Sequence, residues 1–184
     1  WEEFVRRNND ELVATFGNLV HRVLTFIQRN FQGKTPQPNE MDEEANALLA
    51  RVDSTLADVS RELAACRFRE ALKAAMSLAK EANRYLDYHA PWKSFKDDPE
   101  KAATSLWVTL CAISGLKTVM YPFIPFSAES LHSYLGLPGR LQDTGWTAQR
   151  PVPGQAMPAP APLFAKLDES VAERESERLE QVRT

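Results

Sequence analysis

Leu12-Val13-Ala14-Thr15-Phe16-Gly17-Asn18-Leu19-Val20-His21-Arg22-Val23-Leu24-Thr25-Phe26-Ile27 decides the fold class. Leu12, Val13, Phe16, Leu19, Val20, Val23, Leu24 and Ile27, followed by Phe31, recur at gaps of three and four. That spacing places one apolar stripe along a long helix spanning about Phe4 to Phe31. Gly33 and the Pro36-Gln37-Pro38 run end it, since glycine suits a helix end and proline cannot continue one.

The same period continues outward. It predicts a helix from about Met41 to Ala65, through Leu48, Leu49, Val52, Leu56 and Val59, and another from Phe68 to Tyr88. Pro91 pushes Ala90 out of the helical region, and Pro99 opens a helix that runs to Met120. Tyr121-Pro122-Phe123-Ile124-Pro125 breaks that helix before a short one over Ser127–Leu135. Around 139–162, Pro151, Pro153, Pro158, Pro160 and Pro162 leave no periodicity, which reads as an extended surface segment. Leu163-Phe164-Ala165-Lys166-Leu167 reads as an apolar patch docking back on the bundle, ahead of a charged C-terminal helix. The expected class is therefore all-α: an antiparallel bundle of four to five helices with an extended Pro-rich segment and a C-terminal helix. The divisions are 1–138 for the bundle, 139–162 for the Pro-rich surface segment and 163–184 for the docking segment and charged helix.

Composition bounds the function. With 184 residues and 43% hydrophobic content the chain suits one domain with a core of its own. No uninterrupted apolar run approaches a membrane span, and Trp1-Glu2-Glu3-Phe4 lacks the basic start of a signal peptide. The first residue is not Met, so the chain reads as a piece of a longer protein. The net charge of −3 argues against indiscriminate coating of nucleic acid, though not against a small basic site. From Asp168 onward six acids stand against three arginines, Arg174, Arg178 and Arg183, which reads as a solvated helix face.

A search for chemistry returns nothing catalytic. Neither phosphate-cradling glycine motif is present, and there is no His-Glu-x-x-His. Cys66 and Cys111 are far apart, with no ligand spacing, and read as small packed side chains suited to a reducing compartment. His21, His89 and His132 read as surface or loop histidines, with no metal expected. Glu43-Glu44 and Asp97-Asp98 sit at helix starts, where acids complement the dipole.

Two features suit RNA. Asn18 and Arg22 are four apart on one helix face with Arg29 beyond and His21 beside it. An amide both donates to and accepts from a base edge, and a guanidinium offers a planar fork of donors. The same spacing also suits an ordinary solvated face. Trp92 follows Pro91 in a loop, with Lys93 and Lys96 behind it. Exposed, it offers a stacking platform for an unpaired base, with Lys93, Lys96 and Arg29 as candidate phosphate contacts; buried, it plugs the bundle end.

The stretch from Asn9 to Leu24 resembles the opening helix of the anticodon-binding domain of methionyl-tRNA synthetases. Asn83-Arg84-Tyr85-Leu86, Ala90-Pro91-Trp92-Lys93, Pro122-Phe123-Ile124-Pro125 with Leu135-Gly136, and Pro162-Leu163-Phe164-Ala165-Lys166-Leu167 follow in the family's order. The resemblance covers nearly the whole chain. It implies a reader of the CAU anticodon of the methionine tRNA, with the family's base-contacting Asn and Arg falling on Asn18 and Arg22. The family's stacking Trp falls on Trp92, with Pro91 shaping the turn. It further implies a cytoplasmic ligase that uses ATP. That ATP, and any zinc, would belong to a catalytic part of the same chain whose HIGH and KMSKS-type motifs are absent here, so this piece alone is expected to be inactive. No membrane or DNA partner is implied. Two rivals predict the same helices: the corresponding domain of another class I synthetase, and a helical protein-interaction module without an RNA role.

Overall fold

The computed structural model describes residues 1–183, with side chains through Gln181. The bundle is built from α1 (Glu2–Arg7), a π-helical stretch (Asn8–Gly17), α2 (Asn18–Asn30), α3 (Glu43–Ala64), α4 (Phe68–His89), α5 (Pro91–Ser94), α6 (Pro99–Met120) and α7 (Pro125–Tyr134). A 3-10 turn (Leu141–Thr144) and α8 (Ser170–Arg183) complete the chain. The fold is the expected all-α bundle; among the described residues the one strand-like pairing is an antiparallel bridge between Lys34 and Ala156.

The helix ends follow from local chemistry. The Asp42 carboxylate accepts the Ala45 N–H at the start of α3, and Asp98 accepts that of Lys101 at the start of α6. Glu43 and Glu44 sit in the first turn of α3, as expected of acids there. Pro99 and Pro125 occupy first-turn positions, so α7 starts two residues earlier than its apolar pattern suggests.

The predicted first helix is continuous but not uniform. Between Asn8 and Gly17 it widens to π geometry, with the Asn18 N–H donating to the Val13 carbonyl and the Thr15 hydroxyl to that of Asp10, each five residues back. Stripes of gap three and four do not distinguish this from α geometry, because the widened turn still brings Phe16 to the core. The tail meets it here. Asn9 donates to the Leu167 carbonyl at 2.9 Å and accepts the Leu167 N–H at 2.8 Å. The Phe164 ring lies 5.8 Å from that of Phe16, against the bare Cα of Gly17.

α6 is the axis of the fold. Every residue from Ala102 to Met120 is buried, with α3, α4 and α5 packed on it. By length and composition it would cross a membrane, but its whole apolar window is buried inside the bundle. Gly115 sets the approach of α3, since a Cβ there would lie 2.6 Å from Cγ1 of Val52. A β-branched neighbour has little rotamer freedom with which to yield. Gly115→Ala is expected to cost about 1–3 kcal/mol in thermal unfolding, and Val52→Ala in the same chain should recover part of that loss.

Three sequence expectations need correction. The Pro-rich stretch is aperiodic and most of it lies at the surface, but Leu141, Pro151 and Met157 are buried, and it is tied to the core helices. Its carbonyls at Thr147, Gln149 and Pro151 accept from Thr118, Ser114 and Trp107, all on α6. His89 and His132 are buried rather than superficial: His132 Nε2 meets the Pro138 carbonyl at 3.2 Å, and His89 packs between Tyr85 and Tyr88. Cys111 is buried as expected, but Cys66 is exposed in the α3–α4 turn at φ 56°. The α8 face reads as expected over the described side chains; the side chain of Arg183, and Thr184, lie outside them.

Candidate nucleic-acid interface

Trp92 is not in a free loop. α4 ends at Ala90, which takes the left-handed conformation (φ 40°, ψ 60°), and Pro91 starts α5 immediately after. A non-glycine residue there costs about 1–2 kcal/mol, so the surrounding packing must hold the turn. It does so through the buried Pro91 ring and through Phe95, whose ring lies 5.7 Å from Phe26 and 5.3 Å from Phe31. α5 itself rests on α6. This clamp leaves the Trp92 side chain projecting, with the residue 40% exposed.

Arg22 reaches Trp92 from α2. Its guanidinium carbon lies 4.6 Å from the indole centroid, and its Nη2 donates to Asp87 Oδ1 of α4 at 2.9 Å. The arginine is thus held twice, by a ring face and by a carboxylate. With the pair partly solvated, its value lies in orientation more than in stability. Arg22, Trp92, Pro91, His21 and Arg29 border one groove of about 490 Å³, floored by Val23, Phe26 and Leu86.

Asn18, the first residue of α2, faces a neighbouring groove between the first helix and α4. Arg22 and Asp87 form the ridge between the two. Among the described residues, the side chains of Asn18, Arg29, Lys93 and Lys96 have no hydrogen-bond or ion-pair partner. Lys93 and Lys96 are exposed but border neither groove. The structure therefore brings Arg22, Arg29, Pro91 and Trp92 to one groove and Asn18 to the next, with Arg22 common to both and the two lysines lining neither. Sequence reasoning missed Asp87. It lies 65 residues from Arg22, beyond the reach of any local spacing rule.

The comparisons with known proteins agree with this architecture. The bundle superposes on methionyl-tRNA synthetase of Mycobacterium tuberculosis in its apo form with a TM-score of 0.84 at 29% identity, over 91% of this chain and 34% of that one. The form bound by methionyl-adenylate gives 0.83 at 30%, over 89% of this chain and 33% of that one. By fold, then, this is an all-α domain of the kind found in aminoacyl-tRNA synthetases. The family model described as the anticodon binding domain of methionyl tRNA ligase matches residues 35–184. The methionine–tRNA ligase of Dehalococcoides mccartyi (strain 195) is 51% identical over 97% of this chain and 32% of its own length. That of Thermomicrobium roseum is 39% identical over 97% of this chain and 35% of its own length. The chain belongs to the family of anticodon-binding domains of methionyl-tRNA ligases. It spans about a third of the length of these curated relatives.

Proposed function

We propose that this chain reads the CAU anticodon of the methionine tRNA on behalf of a larger, cytoplasmic ligase that joins methionine to that tRNA using ATP. ATP binding, and any zinc, belong on this reading to the rest of the ligase. The observation that carries the reading is the Trp92 ring, clamped in place yet exposed and backed by the Arg22 guanidinium.

An unstacked base gains contact by lying on the free part of the Trp92 surface, extending a stack that Arg22 has begun. Asp87 fixes one Arg22 nitrogen, so the remaining N–H groups point from a defined place toward a base edge or sugar oxygen. Asn18 supplies an amide with both a donor and an acceptor, and Arg29 a further fork, neither consumed by the protein. Pro91 acts through the turn that aims Trp92. A wrong base leaves polar groups of this constellation desolvated without partners, at about 1–3 kcal/mol each.

The test is a titration of the protein with an RNA hairpin carrying CAU in its loop and with one whose loop triplet is changed. CAU is expected to bind at least about tenfold more tightly. Equal binding of the two hairpins overturns the reading.

A further inference from the structure

The groove beside Asn18 carries chemistry that the anticodon reading does not use. One wall is Ala14, Thr15, Asn18 and Arg22; the other is Lys80, Asn83, Arg84 and Asp87 of α4. Most of its polar groups are already engaged. Both donors of the Asn83 amide go to carbonyls, of Thr15 and Ala79, at 2.9 Å each, and Asp87 is taken by Arg22. Lys80 and Arg84 are different. Both are exposed, and neither has a hydrogen bond or ion pair among the described residues.

Arg7, Arg51, Arg61 and Arg67 all pair with carboxylates. Unpaired cations are also common on this surface, Arg29, Lys93 and Lys96 among them, so what distinguishes Lys80 and Arg84 is their position on the groove, not their freedom alone. Arg84 also borders a second groove containing Glu44 and Glu81, and it pairs with neither; Glu81 is taken by Arg51. In a chain of net charge −3, two free cations one helical turn apart therefore stand beside the Arg22–Trp92 stack.

Four residues along a helix rise about 6 Å, so Lys80 and Arg84 present a short row of positive charge parallel to the groove. The groove has no aromatic ring on which a base could stack. Across the Arg22 ridge lies the groove that holds Trp92. A positive track leading to a stacking platform is the arrangement by which proteins hold a single strand: backbone in the track, bases on the ring.

We propose that Lys80 and Arg84 hold two neighbouring backbone phosphates of the RNA strand whose bases meet Trp92 and Arg22. This rests on the anticodon reading, extending it from the bases to the strand. Phosphate contacts carry no sequence information but position the strand, and they show themselves through released counterions.

The experiment measures affinity for the CAU and changed hairpins across salt concentrations, using wild type, the Lys80→Ala/Arg84→Ala double variant and a charge-retaining Lys80→Arg/Arg84→Lys variant. The alanine variant should bind both hairpins about 10- to 30-fold more weakly at 0.1 M salt, leaving their ratio unchanged. Its slope of log affinity against log salt should be smaller by about 1.4, at 0.7 per single-strand phosphate. The charge-retaining variant should keep the wild-type slope. An unchanged slope in the alanine variant overturns the phosphate assignment, even where wild type still prefers CAU. Loss of slope in a protein that never preferred CAU would sink the anticodon reading and leave the phosphate track standing. All these side chains are exposed, so helical circular dichroism should be identical throughout.

Discussion

Trp92→Ala is expected to weaken binding of the CAU hairpin about 5- to 150-fold while leaving the helical circular dichroism unchanged. The range is the worth of one base–aromatic stack, about 1–3 kcal/mol. The unchanged spectrum follows from how the turn is built. Pro91 and Phe95 hold α5 to the bundle, and Trp92 itself adds only a partly exposed ring. Loss of helical signal together with binding would show instead that Trp92 closes the bundle end.

The variant also separates the two holds on Arg22. Without the ring, the guanidinium keeps the Asp87 carboxylate but loses the face it rests on, at 4.6 Å from the centroid. Arg22→Ala and Trp92→Ala should therefore be non-additive, the double variant binding better than the product of the two single losses implies. If the two losses simply add, the arginine and the ring serve the RNA independently.

How much of this was legible beforehand depends on how far apart in sequence the partners lie. Asn18 and Arg22 were legible because a helix brings residues four apart together. Trp92 was legible because Pro91 announces a break before it. The stack between them was not, since Arg22 and Trp92 come from separate helices. Lys80 and Arg84 were unremarkable on α4 alone; they acquire meaning from the groove they line with α2. The π-helical stretch escaped for another reason. Its departure from α geometry changes which carbonyl each N–H meets, and hydrophobic spacing does not report that. His89 and His132 were misjudged because residue type alone suggested water. The fold instead closes tyrosines over the first and a loop carbonyl against the second.

Lys117 was hidden in the same way, and the effect expected from it is large. It lies in the last turn of α6, fully buried, with its ammonium 3.4 Å from Gln149 Oε1 and no ion pair among the described residues. Burial pushes the ammonium down to about 8 from 10.5, with Glu129 pulling weakly the other way. Below pH 8 the native state therefore holds a poorly compensated buried charge. Between about pH 8 and 10.5 the unfolded chain keeps a proton that the native state releases, so stability from this group rises with pH across that window. At about 1.36 kcal/mol per pH unit, the fall from 10.5 to about 8 makes the penalty near pH 7 roughly 3 kcal/mol. Lys117→Met keeps the length of the side chain and removes the charge, and is expected to raise the unfolding temperature at pH 7 by about 5–10 °C. The buried thiol of Cys111, pushed up to about 12, acts in the opposite sense above pH 9, because only the unfolded chain ionises there. The informative quantity is thus the difference between variant and wild type, in which Cys111 cancels. That difference should shrink steadily from pH 8 to pH 10. A difference that is constant with pH would mean that Lys117 titrates normally in the native state, and that water reaches it through the strap formed by the 139–162 segment.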